Sequence, residues 1–163
     1  MTVTAVRKDV GTLTLAITAK YDAPPARVWE LWADPRQLER WWGPPTYPAT
    51  VVDHDLTAGA SVSYYMTGPE GDRHWGRWRI TSSDAPWELA FEDGFADDTG
   101  APDPALPVTT ALVSLEQTDG GGTRMVIEST FASLEAMERL VSMGMEEGMR
   151  AALGQTDEIV AAS

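Results

Sequence analysis

The sequence predicts an α+β domain: a curved antiparallel sheet of about six or seven strands around a long C-terminal helix, with two short helices after the first strand. Three observations predict it. Between residues 50 and 131 apolar residues recur with period two, and all but one of the connections between the runs are Gly-, Pro- and Asp-rich turns too short for parallel crossovers. From Ser133 onward the period changes to that of one helix face. Between the first strand and the rest lie two Trp-bearing segments, each opened by proline.

Residues 12–20 form the first strand, because Leu13, Leu15, Ile17 and Ala19 share one parity against Thr12, Thr14 and Thr18. Asp22 to Pro25 stop it, and a short helix over 26–33 places Val28, Trp29, Leu31 and Trp32 at helical spacing. Asp34 caps a second short helix with Pro35 at its first position, carrying Leu38, Trp41 and Trp42. Strands follow over 50–56, 61–67, 73–82 and 87–92. Residues 94–107, rich in Asp, Pro, Gly and Ala and without a period, are expected to be a mobile surface loop. Strands over 108–117 and 123–131 complete the sheet. Ser133 then caps one continuous helix running toward Ala161, whose face of Leu140, Val141, Met145, Met149 and Leu153 is expected to bury against the sheet.

The 163 residues fit a single domain spanning 1–163, with a core over about 12–160. Twelve basic and 25 acidic residues give a net charge of -13, which repels phosphate backbones and argues against nucleic-acid binding. Cysteine is absent, so disulfides, thiolate metal sites and a cysteine nucleophile are excluded. The first ten residues lack the apolar run of a signal peptide, and no stretch reaches the ~18 apolar residues of a membrane span. A cytoplasmic protein without membrane insertion is expected, with a homodimer left open. The glycine run at 120–122 lacks a following Lys-Ser or Lys-Thr, and the two histidines are far apart, so neither a cofactor nor a metal is predicted.

Residues 25–42 read PARVWELWADPRQLERWW, followed by Gly43-Pro44. Further on stand Asp55-Leu56, Ala58-Gly59-Ala60, the stretch MTGPEG at 66–71, Gly76-Arg77-Trp78, the stretch PWELAF at 86–91, and GGGTR at 120–124. Together these resemble the activator of heat-shock-protein ATPase-like family of the START/birch-pollen-allergen-like (SRPBCC) superfamily, over nearly the whole chain. The resemblance implies a helix-grip fold. It brings no shared catalytic motif; members include a chaperone ATPase activator and small ligand-binding proteins, and some superfamily members are cyclases or lyases. The chain departs from the family at Ala58 and Ala60, where a Pro-Gly-Gly turn is usual. It departs again at His54, usually aliphatic, and at Met149, usually Trp.

Parity on each strand nominates the inner wall. Val52, His54 and Leu56 share one face, as do Val62, Tyr64 and Met66, then His74, Gly76, Trp78 and Ile80, then Trp87, Leu89, Phe91 and Asp93. Met125 faces inward from the last strand. The inner set is apolar except for His54, Tyr64, His74 and Asp93, which must pair with each other, water or a ligand. The ligand-binding candidates are therefore His54, Tyr64, Met66, His74, Trp78, Phe91, Asp93, Met125 and Met149, with either histidine a candidate acid–base group. Three functions are compatible: binding of a small hydrophobic molecule between sheet and helix, an enzyme of cyclase or lyase type acting on such a molecule, and a protein-binding regulator.

Overall fold

A computed structural model of the chain describes residues 3–99, 101–103 and 107–162. Eight strands form one antiparallel sheet: β1 (Val3–Asp9), β2 (Thr14–Tyr21), β3 (Ala49–His54), β4 (Ser61–Thr67), β5 (Arg73–Asp84), β6 (Glu88–Ala96), β7 (Thr109–Gln117) and β8 (Thr123–Phe131). Their spatial order is β1-β2-β8-β7-β6-β5-β4-β3. Between β2 and β3, helices α1 (Pro25–Ala33) and α2 (Pro35–Trp41) carry the chain toward the far edge of the sheet. The fold is α+β, with helices at its C-terminal end as the helix-grip arrangement requires.

Strand β1 is an eighth strand that the period-two reading does not reveal. It is an edge strand, and Val3 and Val6 are half-buried between exposed neighbours, so its burial does not alternate. The β1–β2 hairpin turns through Leu13, which adopts a left-handed φ of 57°.

The C-terminal region is not one helix but three: α3 (Leu134–Ser142), α4 (Met145–Leu153) and α5 (Thr156–Ala161). Ser133 caps α3 as expected, its hydroxyl accepting from the Ala136 amide at 3.1 Å. The first break lies at Gly144, with φ 89°. A left-handed residue just beyond a helix end stops propagation, and glycine takes that conformation without a Cβ penalty. The second interruption, at Gly154 and Gln155, keeps right-handed backbone. Of the face expected to bury, Leu140 and Leu153 are buried, whereas Val141, Met145 and Met149 stay half-buried.

The core is aromatic. Trp78 stacks on Phe91 with centroids 4.1 Å apart. Trp42 meets Trp78 edge-on at 4.8 Å, as Trp32 meets Trp41. Each fully buried large side chain is worth ~1.5–3 kcal/mol, so this cluster fixes α1 and α2 against the sheet. Two of the indoles are also tied by hydrogen bonds. Trp41 Nε1 donates to the Leu31 carbonyl at 2.9 Å, and Trp32 Nε1 to Met125 Sδ at 3.3 Å.

The segment expected to be a loop over 94–107 begins as strand. Gly94, Phe95 and Ala96 continue β6 and pair with Trp75 to Arg77 on β5. Asp97 then organises a turn, accepting from the Thr99 and Ala101 amides. Residues 100 and 104–106, which belong to the same expected loop, lie outside the described residues.

Candidate functional site

A cavity of about 310 Å³ lies between β4–β7 and helices α3–α4. Its sheet side presents Tyr64, Met66, His74, Trp75, Gly76, Asp93, Phe95 and Thr109. The helices contribute Leu140, Met143, Gly144, Met145, Gly148 and Met149, and Trp42 and Pro44 lie on the segment leaving α2. The break at Gly144 therefore sits in the cavity wall. A Cβ added at Gly148 would meet no atom within 4 Å, as expected of a residue facing open space.

One polar pair stands in this apolar wall. The Tyr64 hydroxyl donates to Asp93 Oδ1 at 3.1 Å. Tyr64 can lie there because Gly76 has no side chain: a Cβ would stand 2.3 Å from the phenol. The indole N–H groups of Trp42 and Trp78 are buried and make no well-formed hydrogen bond. Their nearness to the Tyr64 phenol favours its ionised form slightly, too little to offset burial. Burial pushes the Asp93 carboxyl up to about 7, a rise its hydrogen bond from Tyr64 only partly offsets. Burial raises the Tyr64 phenol well above its ordinary range, and the neighbouring Asp93 raises it further.

Of the nine sequence-derived candidates, the structure brings Tyr64, Met66, His74, Asp93 and Met149 together around the cavity. Trp78, Phe91 and Met125 are fully buried and fill the core beneath it rather than line it. His54 is elsewhere. Its Nε2 sits 2.9 Å from the Trp32 carbonyl, which can only accept, so that nitrogen carries the proton. It borders a separate shallow hollow with Trp29, Asp55 and Ser83. A bulge between Val51 and Asp53 explains why β3 departs from simple parity: Val51 is buried and Val52 exposed, the reverse of the expectation.

His74 is at the rim, its side chain 58% exposed and hydrogen-bonded to Asp72. That bond, above all else, holds the Asp72 carboxyl below its ordinary range. His74 and Asp93 are not bonded to each other, so the polar centre of the cavity is the tyrosine–carboxyl pair. Lining residues outside the sequence-derived candidates include Trp42, Trp75, Phe95, Thr109 and Met143, and Leu140 and Met145, expected on the buried helix face, border the cavity as well. Phe95 follows Asp93 by two positions and was legible had β6 been extended. Trp42, which helical spacing alone explains as a packing residue, both packs and lines.

The profile of the family described as "Activator of Hsp90 ATPase homolog 1-like protein" matches residues 22–161. The chain belongs to this family. A protein from Mycobacterium smegmatis, known from its crystal structure, is 48% identical; the match covers 99% of this chain and 98% of that one, with a TM-score of 0.90. A protein from Arthrobacter aurescens, solved by NMR in solution, is 52% identical over 99% of this chain and 94% of that one, with a TM-score of 0.93. A protein from Rhodobacter sphaeroides, known from its crystal structure, shares the fold with a TM-score of 0.82 at 22% identity over 98% of this chain and 99% of that one. No curated protein shows a significant match. Among the described residues no helix is long and apolar enough to cross a membrane, and no three acidic or histidine side chains are grouped to hold a metal ion.

Proposed function

We propose that the protein binds a small, mainly apolar molecule in the cavity between the sheet and α3–α4, in a carrier or sensor role. The observation that carries this reading is an apolar space of about 310 Å³ with one hydrogen-bonded polar pair in its wall. Ligand sites characteristically combine an apolar lining with a few placed polar groups. The volume is at the small end of such sites. Proteins of this fold family commonly bind hydrophobic ligands, which supports the reading. Titration with the neutral fluorophore N-phenylnaphthylamine tests it. Saturable binding of one probe per chain, with a raised melting temperature, is the expected result. Fluorescence that rises without saturation would end the proposal.

A second reading is favoured by the Tyr64–Asp93 pair. A carboxyl pushed up to about 7 in an apolar wall can both take and return a proton near neutrality. If a reaction occurs in the cavity, Asp93 is its acid–base group, in place of His54 or His74. The exposed large apolar residues Val10, Val52, Trp87, Val108, Leu134 and Met143 are spread over separate turns, strands and helix ends. They give no comparable support to a protein-binding regulator.

A further inference from the structure

Building on the reading that the cavity binds a small apolar molecule, we propose that its preferred ligand carries a protonated amine, a hydrophobic cation whose charge meets Asp93. The argument begins with what the carboxyl lacks. Asp93 lines the cavity, and neither lysine nor arginine is among the lining residues described. Oδ1 accepts from Tyr64, while Oδ2 has no protein partner among the described residues. Asp93 is half-buried, with Oδ2 open to the cavity; a carboxylate partly withdrawn from water and without a cation is disfavoured, and a second hydrogen-bond donor with positive charge offsets that cost.

The wall suits such a partner. Trp42, Tyr64, Trp75 and Phe95 border the same space. Aromatic faces attract ammonium groups, more strongly where water is excluded. The net charge of -13 enriches cations around the whole molecule and disfavours anionic ligands. Other charged groups do not compete. The titratable side chains facing the cavity besides Asp93 are Tyr64 from β4 and His74 from β5. Thr109 from β7 and Leu140, Met145 and Met149 from the helices carry no charge.

Proton balance is simple. Near neutrality the empty site holds Asp93 partly as the neutral acid, because burial raises it to about 7. When an ammonium enters, the acid loses its proton to solvent and the ion pair forms; no other bond changes. Amine affinity should therefore rise with pH through this range, whereas the affinity of a neutral isostere should not.

Calorimetry with naphthylmethylamine, naphthylmethanol and naphthoate tests the proposal. At about pH 8 the amine should bind roughly tenfold more tightly than the alcohol, and naphthoate least of all. At about pH 5.5 most of the amine's advantage should vanish, since Asp93 is then protonated before the ligand arrives. In Asp93→Asn the amine should lose its advantage while the alcohol still binds, which also reports that the variant is folded. An alcohol that binds as well as the amine at about pH 8 overturns the amine proposal and leaves the apolar-ligand reading standing. Failure of both to bind sinks both readings. Should Asp93→Asn not fold, an amine-to-alcohol ratio in the native protein that stays constant from about pH 8 to about 5.5 is sufficient to overturn it.

Discussion

Gly76 sets the position of the phenol on which the polar end of the cavity depends. A Cβ there would stand 2.3 Å from Tyr64, far inside contact distance. Gly76→Ala should therefore destabilise the protein by about 1–3 kcal/mol, the usual range for overpacking. It should also dislodge Tyr64 from Asp93. Urea denaturation checks the first effect, and an unchanged midpoint would show that the ring has room to move aside. Asp93 makes a second prediction at this scale, and its sign can be worked out. Its carboxyl lies at about 7 in the folded chain against an ordinary 3.8. The folded state thus binds the extra proton, and stability is fully present below about pH 4 and lost as pH rises through about 7. Exposed carboxyls such as Asp55 and Asp97 act oppositely. Side-chain hydrogen bonds with Thr57 and Thr99 hold them below the usual range, so they gain stability as pH rises. Their effect is common to both chains when wild type is compared with Asp93→Asn. The stability of wild type relative to that variant should fall between about pH 4.5 and 8. Equal pH profiles would mean that water reaches the carboxyl freely.

At the scale of elements, two glycines four residues apart make opposite predictions. Gly144 holds φ 89° at the end of α3, where an L side chain is strained. Gly144→Ala should cost about 1–2 kcal/mol. Gly148 lies inside α4, and an added Cβ meets nothing. Gly148→Ala should be neutral or stabilising by about 0.5–1 kcal/mol, because it removes backbone entropy from the unfolded chain. Thermal melts of the two variants decide it; equal losses would contradict the break at Gly144. The same glycines show what was legible in the sequence. The apolar face was visible, but glycine on a helix face and glycine ending a helix look alike in a periodicity argument. Strands β2 and β5–β8 were legible because one face of each is buried and alternation reports that directly, and β4, where Val62, Ser63 and Tyr64 are all buried, was legible from the turns that bound it. Strand β1 was not, since an edge strand with little burial has no reason to alternate. On β3 a single bulge exchanged the faces of Val51 and Val52. For the site, Tyr64 and Asp93 were legible as polar residues on apolar faces. Trp78, Phe91 and Met125 shared that parity, yet parity cannot tell a wall that borders a cavity from one that is covered by α1 and α2.

For the whole molecule, the cavity is an exchange between stability and occupancy. Unfilled apolar space forgoes dispersion contacts that a larger side chain would make. Met149, half-buried on α4, lines the space with an unbranched side chain. Its neighbour in the wall, Gly148, adds further room. A chain with this cavity should gain stability when a ligand fills it, by about 2.7 kcal/mol at a hundredfold excess over Kd. Met149→Trp should shift that balance. The indole takes the space permanently, so the variant without ligand should melt at or above the wild-type temperature. It should also lose at least about tenfold in affinity for N-phenylnaphthylamine, or about 1.4 kcal/mol, and the probe should no longer raise its melting temperature appreciably. The aromatic core formed by Trp32, Trp41, Trp78 and Phe91 lies beneath the cavity and should be indifferent to the change. The two measurements separate the alternatives. A variant that melts far below wild type would mean that Met149 is packed too tightly for substitution. A variant that melts normally but binds the probe undiminished would mean that the probe, and the ligand it stands for, sits elsewhere.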